Sequence, residues 1–556
     1  MGFKEFTLLG TTQGQNVKLE VVLSDELNDL KSDLASLFAI TDATAISLHG
    51  STNILETIEN VIDYKGKIGL MVDGSPIRAP HAPKELPFLG NHFEIYPDHM
   101  GNHDRLFTKY GSVIKTVNMG TTTYLTNDPS VSEAALSESE YFTKTTSDPS
   151  HPLYYMRDST ALFMCDTSSP AFHLAHKFIP PSMTPNAVRQ YTPNMQQAIE
   201  ECFSVFDELD RQDKAFHVYQ YMFKLAGQII YRIVLGLDVG HFKTIDTPAH
   251  EIIHLLGEYM LLMKKTSLSP QWYQYLPFGD HRRLEEVKKR AWALVEEAIE
   301  NAEVGGDGKD APIQEVALHS TCIADYLKRA VDDEGNKLPP EYRLTNIVVL
   351  IGAGFVTSSS LLSWMIYALT KYPGNQERLV QELVDHGGSS TKSWSYDEIN
   401  SLPFLDHFVK ETHRLHNPSF QTARNTKKDV IVPGGWQIPT GAIVIPTFPS
   451  IHKNKDHWEN PERFDPDRWA DDATNKKRHR RAFTPFAAGP RGCVGFNVAK
   501  LEAKLALANL VYRYHFTDAN KEPMQYDPEF LVIRPLNCYA RARKRTSWPP
   551  KLPTGA

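Results

Sequence analysis

The stretch "FTPFAAGPRGCVGF", residues 483–496, is the feature that most constrains this chain. It packs glycines, two prolines and one arginine around a single cysteine, Cys493. A buried thiol or a structural disulfide needs no such density of turn-forming backbone. Glycine lets the chain turn tightly and approach a partner closely, and arginine offers a forked donor set for an anion. The stretch therefore reads as a site that holds a ligand.

Size and composition narrow the frame around it. The chain has 556 residues, 41% of them hydrophobic, enough for one large domain with a small companion. A formal net charge of -8 argues against nucleic acid as a partner. Cys165, Cys202, Cys322, Cys493 and Cys538 are widely spaced with no CxxC pair, which excludes a zinc ribbon or a disulfide framework and suits a reducing compartment. The N-terminus has no signal-like apolar run, and no segment offers the ~18 uninterrupted apolar residues of a membrane span. The expectation is a soluble, cytoplasmic protein.

Organisation changes along the chain. Residues 1–76 read as hairpin, helix and two further strands, with Ser24 as a possible helix cap and Leu27, Leu30, Leu34 and Leu37 on one helical face. Residues 77–92 form a proline-rich linker, 93–545 are mainly helical with small sheets, and 546–556 form a loose basic tail. The pattern of 1–76 resembles a ubiquitin-like β-grasp, so the fold class expected is mainly α with a small α/β domain in front.

A cysteine thiolate can be the axial ligand of haem iron, pushing electron density toward an O–O bond. Phe486, Gly489, Arg491, Cys493 and Gly495 then supply an aromatic, tight-turn glycines and a cation for a propionate. Together they spell FxxGxRxCxG, and here the chain resembles the cytochrome P450 family. "ETHR" places Glu411 and Arg414 at i, i+3, and "FDPDRW" brings Arg468; these resemble the family's ExxR and PERF elements, which imply one structural network. Ala499 and Glu502 continue the pattern behind the cysteine. "FMCDTSSPAFHLAHKF" resembles the C-helix region, with Phe172 in place of the usual Trp and His176 in the basic position; "TARNTKKD" offers Arg424 as a second propionate ligand.

"LIGAGFVTSSSLLSW" resembles the distal helix motif AGx(D/E)T(T/S). The resemblance implies that Ala353 and Gly354 leave room for dioxygen and bend the helix, and that the Thr357 hydroxyl helps deliver protons. Val356 stands where the family carries an acid, so that route must use water, Ser358, the substrate or another residue. Phe163, nine residues before Phe172, resembles a pocket phenylalanine of the fatty-acid hydroxylase branch, with Phe355 and Val356 as further pocket-wall candidates. These likenesses imply haem b, O2 and a hydrophobic substrate, either a fatty acid or a secondary metabolite. No flavin or nicotinamide fingerprint is present, so electrons are expected from a separate NADPH-dependent reductase or ferredoxin-type donor, with the basic run Lys476 to Arg481 as its docking candidate. A monooxygenase is the first expectation; a hydroperoxide isomerase or dehydratase of the same family, needing no reductant, is the alternative.

Overall fold

The computed structural model describes residues 2–11, 16–51, 53–267, 269, 271–302, 305, 308–419 and 422–552. They form two compact units. The first combines Met1–His151, Gln421–His457 and His479–Gly492; the second combines Pro152–Phe420, Trp458–Arg478 and Cys493–Ala556.

The first unit opens with strands β1 (Gly2–Leu8), β2 (Asn16–Val21), β3 (Ile46–His49) and β4 (Ile68–Val72) in the order β2-β1-β4-β3. The central β1–β4 pair is parallel and both outer pairs are antiparallel. Alternation drives the burial: Phe6 and Leu8 of β1 point inward beside Ile68, Leu70 and Val72. Helix α1 (Leu27–Phe38) covers this face with Leu30, Leu34, Ala35 and Phe38. The helix begins after Glu26, which makes no side-chain cap, so Ser24 lies outside it. Leu37 is 50% exposed, because a 3.6-residue period carries the stripe from Leu30 and Leu34 to Phe38 instead.

A second sheet in this unit contains β5 (Val113–Asn118), β6 (Thr121–Thr126), β7 (Phe142–Thr143) and β8 (Arg424–Thr426). After β8 comes the short hairpin β9 (Val430–Val432) and β10 (Trp436–Ile438), then β11 (Ile443–Pro446), giving the order β5-β6-β11-β8-β7. Helix α2 (Pro129–Leu136) starts on Asp128, whose carboxylate accepts from the Ser130 and Val131 amides. The stretch expected to be a linker is stitched into the unit: Ile77 N–H donates to Leu9 O, Lys115 N–H to His81 O, and Asn91 N–H to Val117 O. Its prolines and glycines set turns, but its remaining backbone groups find partners.

The second unit is mainly helical, with a small three-stranded sheet of Phe216–His217, Tyr514–Asp518 and Tyr539–Lys544. Its labelled helices are α3 (Pro170–Phe178), α4 (Val218–Leu235), α5 (Glu251–Ser267), α6 (Pro340–Lys371), α7 (Pro403–Leu415) and α8 (Phe496–Arg513). Helix α6 packs along α4 and is apolar on most of its circumference. It is the one described helix long and apolar enough to cross a membrane, and 72% of its most apolar window is buried inside the protein, the signature of a core helix. The C-terminal segment is less loose than its composition suggests. Trp548 stacks on Tyr512 and donates to its carbonyl at 2.9 Å, and Leu552 N–H donates to Asp385. Residues 553–556 of the expected tail lie outside the described residues.

Candidate functional site

The cysteine loop is shaped by glycine where glycine is needed. Gly489 has φ +70°, and a Cβ there would lie 2.1 Å from the Leu136 carbonyl oxygen, so no other residue fits. At Gly495 a Cβ would meet nothing within 4 Å: the space beside it is open. Gly495 also caps α8, which places the positive end of that helix next to Cys493. Cys493 is solvent-accessible while the other four cysteines are buried. Burial nevertheless pushes its thiol pKa up, opposed by a hydrogen bond from the Gly495 amide. The two facts fit a sulfur on the wall of a recess, reached by small molecules yet surrounded by protein.

Glu411 and Arg414 of α7 are fully buried and paired through two hydrogen bonds of 2.8 and 2.9 Å. Arg468 donates to the same carboxylate at 3.0 Å, completing the expected network. Two members escaped the sequence reading: the Asp465 amide and the Trp469 indole N–H, which donate to Glu411 at 2.9 and 3.0 Å. Arg414 donates in addition to the carbonyls of Pro461 and Arg463. The arrangement satisfies both charges and ties the "PERFDPDRW" segment to α7.

On α6, Ala353 is exposed and Thr357 half-buried, one turn apart on a helix whose neighbouring positions are buried. The Thr357 hydroxyl donates to the Ala353 carbonyl at 2.8 Å. Gly354 serves helix packing: a Cβ there would lie 2.6 Å from Ile230 of α4. Phe355 and Val356, expected on a pocket wall, are buried instead; the Phe355 ring packs edge-on against Phe223 of α4, 4.9 Å between centroids. At i+2 from Ala353, Phe355 points to the opposite side of the helix. Phe163 is 47% exposed and keeps the accessibility that a pocket residue needs. Ser358, adjacent to Thr357, donates at 2.8 Å to Glu502 of α8, whose carboxyl is fully enclosed and pushed up to about 8 by burial. Glu502 thus reaches α6 through Ser358, the residue that follows Thr357, while Val356 carries no titratable group.

Of the first unit's anion-binding candidates, Arg424 lies on β8 and Arg491 in the turn Gly489–Arg491 of the cysteine loop. Arg424 exposes no surface, and its Nε lies 2.9 Å from Glu138 Oε1 without hydrogen-bond alignment. Its Nη1 donates to Thr422 and to the Ala423 carbonyl, while Nη2 has no partner. Burial lowers its pKa to about 10, Glu138 opposing and Arg491 adding to the fall. Phe486 is half-buried. In the second unit His176 of α3 is exposed, its ring 5.3 Å from buried Phe172. The basic run is largely engaged: Arg478 stacks 3.8 Å over Trp458, and His479 and Arg480 lean on Glu133, leaving Lys476 and Lys477 as its exposed lysines.

The sequence pattern described as Cytochrome P450 matches residues 80–540. The chain belongs to the cytochrome P450 family. It is 53% identical over 555 residues to "Cytochrome P450 monooxygenase alnD" of Emericella nidulans, spanning 100% of both chains. It is 37% identical over 231 residues to human "Cytochrome P450 4F2", 41% of this chain and 44% of that one. A solved cytochrome P450DA haem domain superposes with TM-score 0.73 at 21% identity, over 84% of this chain and 98% of that chain. The protein is accordingly a cytochrome P450 monooxygenase with the mainly helical P450 fold and a haem held by cysteine thiolate. Its residues fit that group. An orphaned guanidinium donor on Arg424 awaits an anion, open space lies beside Gly495, and Cys493 is accessible.

Proposed function

We propose that this P450 binds haem b through Cys493 and inserts one atom of O2 into a hydrophobic substrate, a fatty acid or an apolar secondary metabolite. The observation that carries the reading is the Cys493–Gly495 corner: an accessible sulfur, an amide N–H donated to it, and open space beside the glycine. When bound, the haem supplies oxygen activation and the cation that keeps the thiol ionised. The chain does the rest. Gly495 N–H moderates the charge on sulfur, while Arg424 and Arg491 with Phe486 hold the propionate edge, and His176 offers a further polar contact. Ala353 leaves room on α6, and the Thr357 hydroxyl, now donated to the Ala353 carbonyl, is a proton carrier at its Oγ. Glu502, its pKa raised to about 8 by burial, accepts the Ser358 hydroxyl hydrogen and can hold a proton beside α6, which Val356 cannot do.

Electrons come from a separate reductase or ferredoxin-type protein, with exposed Lys476 and Lys477 as part of its docking surface. Residues 1–76 form a ubiquitin-like β-grasp module, supported by a parallel central pair flanked by antiparallel strands and covered by α1. Turnover of a fatty acid with NADPH and reductase, run beside turnover of a lipid hydroperoxide without reductant, tests the reaction. Product only in the first supports oxygen insertion; product only in the second replaces it with the isomerase reaction.

A further inference from the structure

The hairpin β9–β10 has strands of three residues, too short to be stable alone. The N-terminal module completes it on both edges. Along β9, Ile431 N–H donates to Ala39 O at 2.9 Å and Ile431 O accepts from Thr41 N–H at 3.0 Å. Along β10, Arg78 N–H donates to Gly435 O and Gln437 N–H to Arg78 O, both at 2.9 Å. At the turn, Asp73 accepts from the Gly434 amide at 2.8 Å. Gly435, at φ +74°, approaches the module so closely that a Cβ would lie 2.9 Å from Pro76 O. The Arg78 guanidinium lies 4.1 Å from the Trp436 ring centroid.

Side chains divide the hairpin between two cores. Ile431 is buried among Leu34, Phe38 and Leu70 of the module. Val430, Val432, Trp436 and Ile438 instead join Val131, Phe142 and Val444 in the core beneath the second sheet. That second core supports both halves of the anion site. Val444 of β11 pairs with Arg424 of β8, Thr426 of β8 pairs with Phe142, and Val131 lies on α2, which leads to Glu138 beside Arg424. Alternation along β9 thus converts the packing of the module into the packing of the strands that carry Arg424.

We propose that residues 2–78 act as a built-in brace: through the β9–β10 hairpin they set the position of Arg424, and so how tightly the chain holds the anionic edge of its cofactor. Arg78 and Asp73 are then positioning residues, acting through Arg424. The inference rests on the haem reading above.

The test uses full-length holoprotein and the rate of haem transfer to a globin scavenger. Arg78→Ala and Asp73→Ala, both at exposed positions, are made singly, together, and each combined with Arg424→Met. The double brace variant is expected to lose haem roughly tenfold faster, the scale on which supports behind a ligand act, with its thermal midpoint little changed. With Arg424→Met already present, the brace substitutions are expected to add nothing, because their effect runs through that arginine. Unchanged haem loss in the brace variants, or an effect that multiplies with Arg424→Met, overturns the brace. Ile40→Asp, at a buried position beside Ile431, is a stronger variant of the same test. A parent chain that takes up no haem at all sinks the underlying reading as well, which separates the two failures.

Discussion

Arg414 and Arg424 are both completely buried, and they are built to opposite specifications. Arg414 meets a fully aligned carboxylate and two backbone carbonyls, and that carboxylate is further supplied by Arg468, Trp469 and the Asp465 amide. Arg424 faces a misaligned Glu138 and keeps a buried Nη2 with no partner. A charge buried with every donor used is part of the frame, since removing one partner strands the other. A charge buried with a donor unused is costly unless something fills the gap. The first arginine belongs to the scaffold, while on the reading proposed above the second serves a ligand, a distinction that burial alone does not reveal.

The comparison breaks most visibly at Glu411. Glu411→Ala leaves Arg414 charged and enclosed, and is expected to lower unfolding stability by about 3–5 kcal/mol, read from the urea midpoint. Glu502 sharpens the contrast with a buried acid that stays neutral. Its folded pKa of about 8 lies above the ordinary value of 4.5, so the folded state binds the extra proton between them. Stability should therefore fall as pH rises from about 4.5 to about 8, by at most about 1.4 kcal/mol per unit, and Glu502→Gln should flatten that slope. An identical slope in the variant would remove Glu502 as the proton holder.

At Arg424 the sign of the effect should depend on the cofactor. Arg424→Met combined with Glu138→Gln in the haem-free chain is expected to be neutral or mildly stabilising, because a poorly satisfied buried pair goes as a whole. In the holoprotein the same change should speed haem loss roughly tenfold. Equal destabilisation in both forms would make Arg424 a second Arg414. Smallest of all, Lys476→Glu with Lys477→Glu should leave the unfolding midpoint within about 0.5 kcal/mol, while slowing reduction by an acidic redox partner and weakening its salt dependence.

What the sequence made legible follows from which interactions are local. The cysteine loop was readable because Gly489 and Gly495 sit at fixed offsets from Cys493, and Glu411 with Arg414 because i, i+3 spacing puts them on one helical face. Glu138 gave no sign of itself, since its approach to Arg424 depends on how α2 and β8 are brought together. Trp469 stood inside the quoted "FDPDRW" and was passed over, although an indole N–H beside a buried carboxylate is a natural donor. Phe355 was misplaced because a motif names neighbours of the active face without fixing side-chain direction; position i+2 on a helix turned it toward Phe223. Within the run Lys476 to Arg481 nothing in the sequence singles out Arg478, whose stacking on Trp458 depends on the fold. The N-terminal strands and α1 were visible from alternation and apolar period, whereas the hydrogen bonds of the module to β9 and β10 are long-range and left no local pattern.

The most direct test of the haem–thiolate claim is the visible difference spectrum of the dithionite-reduced, CO-bound protein, recorded for the parent chain and for Cys493→His. The parent should show the red-shifted Soret band specific to a thiolate ligand, and the variant should lose that band. A histidine-type band in the parent, or a thiolate band that survives in Cys493→His, would contradict the assignment of Cys493 as the ligand.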